Sequence, residues 1–375
     1  MHIPDGYLSP ATCAAMYAAA APFWYIALQR VKRLLTTRLV PLLAVFSAFS
    51  FVIMMFNLPL PGGTTGHAVG MGVATIVLGP WGSMLAISVA LLIQALFFGD
   101  GGITAFGANC FNMAIVGSLV AYWVYRAIAG RAAITDTRRV VAAAIAGYMA
   151  INVAALLAAI EFGIQPLLFT DANGAPLYAP YPLSVAIPAM ALGHLTIAGL
   201  AELVVTGGVV AYLQRADPSL LKMTAPEARD TEAGSQEVTR PGGRRTMQKL
   251  WLGLAILMIL SPLGLLAAGT AWGEWAPEDF HDPAVRQEIQ AGSLNAAPPE
   301  QAPQGLEQLA SFWTAPLADY APPWMQSEAF GYIMSALVGT GLIILAFFLI
   351  SWIARLLRGN RKPEAPAPRA GPGTI

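Results

Sequence analysis

The chain has 375 residues, of which 56% are hydrophobic and 11% charged, with no net charge and a mean hydropathy of +0.59. A soluble globular domain carries about 25% charged residues, so this composition excludes that class and predicts a protein embedded in a membrane. Membrane lipid is its expected surrounding, and no nucleic-acid partner is expected.

The first two residues, Met1 and His2, form a candidate metal site. The free amine, the amide nitrogen of His2 and the imidazole Nδ1 can chelate one ion through adjoining five- and six-membered rings. A nitrogen from His67, one of only four histidines, would complete a square of four nitrogens, which Ni(II) and Cu(II) prefer and Co(II) can adopt. Bulky His2 should keep the initiator methionine in place. Alternatively, Met-His only reflects a start codon and His67 is solvated or bonded to backbone.

Hydrophobic stretches of helical length predict an all-α polytopic membrane protein. The first seven stretches form one bundle and the last two a separate accessory module. A turn at Gly79-Pro80-Trp81-Gly82 is expected to separate the third from the fourth. The predicted spans are 11–29, 39–57, 68–80, 82–98, 107–126, 140–160, 183–213, 250–269 and 329–354.

The distribution of positive charge predicts the orientation of these spans. With the N-terminus outside and the C-terminus inside, 20 of the 21 Lys and Arg residues fall in inner loops or the tail, and only Arg286 falls outside. Cytoplasmic loops are enriched in Lys and Arg. This topology places Met1, His2 and His67 on the external face.

Five further polar residues are weaker candidates. Asp100, Thr104 and Asn109, in the Gly-rich connection 99–109, could orient the imidazoles of the metal site, although capping by Thr104 or Asn109 is the ordinary alternative. His194 and Glu202, on the seventh span, are functional candidates because ionisable groups inside a membrane are costly. They could also merely hydrogen-bond to neighbouring helices, and Glu202 is close enough to the inner surface to reach headgroups.

The chain divides into four predicted regions. Residues 1–215 are the metal-binding membrane domain, 216–248 a flexible cytoplasmic linker, 249–355 the two-span module and 356–375 a disordered cytoplasmic tail. The external loop 270–328 of the module has a net charge of −8, which would concentrate cations or simply solvate the loop. Its Ala/Pro/Gln-rich stretch 296–303 predicts local disorder.

Absent motifs limit the chemistry. The chain has no GxxxxGK[ST] phosphate loop, no HExxH and no GxSxG, so it should not hydrolyse ATP itself or act as a common metalloprotease or serine hydrolase. A secondary metal transporter would need a relay of ionisable residues and often inverted repeats. An intramembrane metalloenzyme would need an open metal position beside a general base.

Three segments resemble the CbiM/NikM family of substrate-binding components of energy-coupling-factor transporters for cobalt and nickel. They are 1–10 (MHIPDGYLSP), 61–67 (PGGTTGH) and 101–109 (GGITAFGAN). Residues 250–354, with Ser261-Pro262-Leu263-Gly264-Leu265 and Gly269-Thr270-Ala271-Trp272-Gly273-Glu274-Trp275, resemble the fused PDGLE or CbiN/NikN-like module.

The resemblance implies that the Met1 amine, the His2 amide and imidazole, and His67 bind Ni(II) or Co(II) as the transported ion, with no other cofactor. It also implies a complex with a transmembrane coupling (T) component and two cytoplasmic ABC ATPases, in which this chain is not an enzyme. The expected location is a bacterial or archaeal cell (inner) membrane.

Overall fold

The computed structural model describes residues 1–34, 39–225, 242–321 and 324–356. These parts are helical apart from connecting loops and one short hairpin of β1 (Leu58–Pro59) and β2 (Thr65–Gly66). The all-α fold is therefore confirmed. Its helices are α1 (Pro10–Leu34), α2 (Leu39–Met54), α3 (Met71–Phe98), α4 (Phe106–Ala129), α5 (Thr137–Leu168), α6 (Leu183–Ala216), α7 (Gly242–Leu260), α8 (Pro283–Gly292), α9 (Gln304–Leu309) and α10 (Glu328–Leu356).

Among the described residues, seven helices are long and apolar enough to cross a membrane: α1, α3, α4, α5, α6, α7 and α10. Helix α2 is also apolar but has only 16 residues. A bilayer core of roughly 30 Å takes about 20 helical residues. The length and composition of these seven helices therefore agree with a multi-pass membrane protein.

Helix α3 is a bent hairpin rather than a straight rod. Gly79 has φ 70° and ψ 167°, outside the helical region, and the Thr75 hydroxyl donates to Ser83 Oγ at 3.0 Å. Eight residues of straight helix would separate those positions by about 12 Å, so the chain reverses at the turn expected there. The first arm, residues 71–78, is only about 12 Å long. The predicted third span, 68–80, is thus shorter than a membrane-crossing helix and begins at Met71.

Small residues bring the bundle helices close together. The buried face of α5 is rich in alanine, and Gly147 of this helix lies against Thr206 of α6. A Cβ atom at Gly147 or at Gly72 of α3 would lie 2.6 Å from Thr206 Oγ1. Glycine at both positions allows α3, α5 and α6 to meet, as is typical of helix packing in membranes.

The accessory module packs on the bundle instead of standing apart from it. Gly339 of α10 lies against the Phe51 ring of α2, and Gly264 lies against the Met55 carbonyl. The loop between α7 and α10 covers the end of the bundle that holds residues 1–9, and its Trp272, Trp275 and Phe280 are buried.

Two predicted irregular regions contain ordered structure. Residues Pro218–Thr224, in the predicted linker, form a 3₁₀ turn, and the Thr224 hydroxyl donates to the Ile76 carbonyl at 2.7 Å. The disorder predicted for 296–303 is wrong, because the Arg286 guanidinium donates to the carbonyls of Pro298 and Pro299. Most of the predicted linker (226–241) and the tail from 357 onward lie outside the described residues.

Candidate metal centre

The N-terminal segment, residues 1–9, is irregular and buried between the bundle and the accessory loop. Met1, His2 and Ile3 are 4%, 1% and 0% exposed. The Ile3 amide donates to Asn109 Oδ1 at 2.8 Å, and the Ile3 carbonyl accepts from Asn109 Nδ2 at 3.0 Å and from the Gly102 amide at 2.8 Å. Both backbone polar groups of Ile3 are therefore fixed directly beside His2.

The carboxylate of Asp5 attaches the segment a second time. It accepts from the amides of Ile103 and Thr104 at 3.1 and 2.7 Å and from the Thr104 hydroxyl. Gly102 makes this approach possible, because a Cβ atom there would lie 2.3 Å from the Asp5 nitrogen. The glycines of 99–109 thus allow two backbones to touch.

His2 and His67 lie side by side, with ring centroids 5.1 Å apart and planes tilted by 32°. Both rings are buried. The His67 Nδ1 lies 3.1 Å from the Ala68 carbonyl, and in the tautomer that donates this bond Nε2 keeps a lone pair for a metal. Burial, followed by the nearby His2 and N-terminal charges, lowers the pKa of His67 to about 3. His67 is therefore neutral, as a metal ligand must be.

Two carboxylates face the other proposed donors. The Met1 amine forms an ion pair with Glu274 Oε1 at 3.2 Å. Asp100 Oδ1 lies against His2 Nδ1, but without hydrogen-bond geometry, and within the described structure neither His2 ring nitrogen has a hydrogen-bond partner. Buried polar atoms without partners are rare and point to a ligand.

Asp100 is the centre of a polar group that reaches into the accessory module. Its Oδ2 accepts from the Tyr320 hydroxyl at 2.5 Å and from Gln94 Nε2 at 2.9 Å. Burial alone would raise the pKa of Asp100, but the neighbouring His2 outweighs it and holds the pKa well below its usual value. Asp100 is therefore an anion in contact with the ring of His2.

Of the residues singled out from the sequence, the structure gathers six at this centre and leaves two elsewhere. Met1, His2 and His67 supply nitrogens, Asp100 contacts His2, and Thr104 and Asn109 hold the N-terminal segment. His194 Nδ1 instead lies 2.8 Å from Met190 O within its own helix. Glu202 is fully buried and binds backbone amides at residues 69–72, so the headgroup contact considered for it is wrong.

Sequence reasoning missed Glu274, Gln94 and Tyr320. In the sequence, Glu274 is one of the acidic residues of loop 270–328 and part of the PDGLE-like motif, and neither feature indicates a contact with the Met1 amine. Tyr320 and the preceding Asp319 have positive φ values of 62° and 54°, which non-glycine residues rarely adopt. That turn directs the Tyr320 hydroxyl towards Asp100, and no local pattern in the sequence signals it.

Two of the four candidate donors at this centre are main-chain nitrogens, and the other two are imidazole nitrogens. In the described ranges, no group of three or more His, Cys, Asp or Glu side chains could hold a metal ion. A metal site here would depend on the terminal amine and the His2 amide together with two imidazoles. Such an all-nitrogen set suits Ni(II), Cu(II) or Co(II) better than Mg(II) or Ca(II), which prefer oxygen.

Two family models match separate parts of the chain. The model described as a cobalt uptake substrate-specific transmembrane region, CbiM, matches residues 2–220. The PDGLE domain model matches residues 248–356. The two-part organisation expected from the motifs is that of these two families.

Similar proteins are named as metal transport proteins. The fused nickel transport protein NikMN of Rhodobacter capsulatus is 56% identical over 96% of this chain and 99% of its own length. The probable fused nickel transport protein LarMN of Lactiplantibacillus plantarum is 42% identical over 92% of this chain and 96% of its own. These relatives confirm the expectation of a transport component rather than an enzyme.

Solved structures share the fold of more than half of the chain. The crystal structure of a transition metal transporter matches with a TM-score of 0.55 and 52% identity, covering 60% of this chain and 99% of that one. A truncated transition metal transporter matches with a TM-score of 0.54 and 53% identity, over 57% of this chain and 99% of that one.

Proposed function

The chain belongs to the CbiM family of cobalt uptake substrate-specific transmembrane proteins and carries a PDGLE domain, and from that premise we propose that it captures Ni(II) for import. The proposed ligands are the Met1 amine, the His2 amide nitrogen and Nδ1, and His67 Nε2. Co(II) is the alternative cargo, because the same four nitrogens can bind it. Ni(II) is favoured because two relatives that match nearly the whole chain are named as nickel transport proteins.

One observation carries the proposal: the N-terminus is buried beside a second histidine. A chain terminus is ordinarily exposed and poorly ordered unless something ties it down. Here the first three residues are almost completely buried, and the His2 and His67 rings lie 5.1 Å apart. The bonds of Asn109 and Asp5 fix the segment at the register that places His2 beside His67.

Binding would exchange partners at two of the donors. The Met1 amine would leave Glu274 and His2 Nδ1 would leave Asp100. Both carboxylates then lie near the ion. Together with the deprotonated amide nitrogen, they offset part of the positive charge of the ion. The Met1 amine and the His2 amide must each lose a proton to bind, so affinity should rise with pH.

Energy for transport would come from partner proteins. We propose that a transmembrane coupling component and two ABC ATPases complete the transporter, since the chain has no phosphate loop of its own. Positive charge concentrated in the loops opposite the N-terminus supports an external metal site in a bacterial or archaeal cell (inner) membrane. A secondary transporter is disfavoured because His194 and Glu202 bind backbone groups and form no relay.

The test is equilibrium dialysis of the purified full chain with Ni(II). His67→Ala should leave a three-nitrogen chelate with water in the fourth position. The affinity should fall by more than the roughly 10–100-fold typical of residues that only support ligands. His281→Ala, in the accessory loop, is the matched control and should bind as the unaltered chain does. Near-native affinity in His67→Ala would remove His67 from the site.

A further inference from the structure

His67 is held through the backbone that follows it. The chain runs from His67 through Ala68 and Val69 to Gly70, whose φ of 75° turns it into the short arm 71–78 of α3. The Ser50 hydroxyl of α2 donates to the Val69 carbonyl at 2.7 Å. The position of the His67 ring therefore depends on how this peptide segment is anchored.

Glu202 of α6 provides the anchor on the other side. Its Oε2 accepts from the amides of Val69 and Gly70, both at 2.8 Å. Its Oε1 accepts from the Gly72 amide at 3.1 Å and from the Thr206 hydroxyl at 3.2 Å. All four partners are donors, which suits an ionised carboxylate, since it can only accept. Amides at the start of a helix also favour a negative charge.

The arm itself cannot satisfy the amides at its start. A helix leaves its first four N–H groups without partners in the helix, and an arm of about eight residues is marginal by itself. Gly72, Thr206 and Gly147 fill the space beside the carboxylate at close contact. Within the described parts of the chain, the hydrogen-bond partners of Glu202 are backbone amides and one hydroxyl, with no cation among them.

We propose that Glu202 is a positioning residue for metal binding, which fixes His67 at the distance from His2 that the ion requires by anchoring residues 69–72. This inference rests on the proposed function, because it gives a role to a residue that the ion does not touch. It also explains a buried carboxyl group on a membrane helix without invoking proton or ion passage, since both of its oxygens accept hydrogen bonds from fixed partners.

A double-mutant cycle separates positioning from general stability. Ni(II) affinity is measured by competition with a chromophoric chelator for the unaltered chain, Glu202→Gln, His67→Ala and the double variant. Gln has the same shape but one acceptor oxygen, so at least one amide loses its bond. We expect Glu202→Gln to weaken affinity about 10–100-fold. In the His67→Ala background the same change should weaken it by less than about twofold, because no ring remains to be positioned.

Glu161→Gln is the matched control. Glu161 is another buried carboxyl group in a membrane helix, but its side chain accepts from Asn112 rather than from the amides of residues 69–72. It should leave Ni(II) affinity unchanged. If Glu202→Gln does not fold, Ser50→Ala takes its place, because it releases the Val69 carbonyl and should show a smaller loss that also disappears without His67.

The outcomes are distinguishable. An equal loss on Glu202→Gln with and without His67 would mean that Glu202 acts through stability and would overturn the inference. Loss in His67→Ala with none in Glu202→Gln would overturn it and leave the proposed function intact. No loss in His67→Ala would overturn the proposed function and this inference together.

Discussion

Replacing Asn109 by alanine tests whether the buried N-terminal segment is the metal-binding element. Asn109 pairs with both backbone groups of Ile3, at 2.8 and 3.0 Å. In Asn109→Ala the Ile3 carbonyl keeps its bond from the Gly102 amide at 2.8 Å, whereas the Ile3 amide is left buried without a partner. An unsatisfied buried donor costs about 1–3 kcal/mol, which corresponds to roughly a 5–150-fold change in an equilibrium constant.

That cost destabilises the bound position of the N-terminal segment. We therefore expect Ni(II) affinity, measured by chelator competition, to decrease by a factor of roughly 5–150. Asn112→Ala is the matched control on the same helix, because Asn112 is also buried but donates to Glu161, at 2.8 Å, rather than to the N-terminal segment. Both variants should lower the thermal midpoint, and only Asn109→Ala should lower affinity. Equal losses of affinity in the two variants, or none in Asn109→Ala, would refute the reasoning.

Two further predictions concern Gly102 and His67. Gly102→Ala places a Cβ atom 2.3 Å from the Asp5 nitrogen, so it should displace the N-terminal segment and abolish tight Ni(II) binding in dialysis. Gly253→Ala, which has open space around it, is the control and should bind normally. Unchanged binding by both variants would contradict the close approach of Gly102 and Asp5. Because the pKa of His67 is lowered from 6.5 to about 3, the unfolded chain binds the extra proton first as pH falls, so stability should decrease from about pH 6.5 towards pH 3, by at most about 1.4 kcal/mol per pH unit. Thermal midpoints across this range should fall less steeply in His67→Gln, and parallel curves would show that His67 is not held neutral.

The sequence predicts the donors of the candidate centre better than the groups that surround them. Met1, His2 and His67 could be selected because their nitrogens suit one chelate. Asp100, Thr104 and Asn109 could be selected because their Gly-rich connection is expected on the same face as His67. Their detailed partners, such as the two bonds to Ile3, depend on how distant segments meet, and composition or periodicity does not record that.

The contribution of the accessory loop could not be predicted. Glu274 and Tyr320 reach the centre from positions more than 200 residues beyond the N-terminal segment along the chain. An acidic, Pro-rich loop gives no periodic signal for packing. The stretch 296–303 was predicted to be disordered because its composition lacks large apolar residues, yet the Arg286 side chain binds its carbonyl groups.

Glu202 shows why the position of a residue along a membrane helix is an unreliable guide to its partners. Counting residues along α6 placed it near the inner surface. The reversal of α3 at Gly79 brings the amides of residues 69–72 into the bundle beside it. The turn was predicted from the Gly79-Pro80 pair, but its consequence for Glu202 requires knowing which helices are neighbours.

The most direct test of a metal site built on the free terminal amine is to block one end of the chain at a time. One additional residue before Met1 turns the amine into a peptide nitrogen in a place where Met1 is only 4% exposed. One additional residue after Ile375 leaves the amine unchanged. Ni(II) binding by the two purified proteins is compared, with intact mass confirming each terminus. The account predicts that binding collapses for the N-terminal extension and persists for the C-terminal one, and equal binding by both would contradict it.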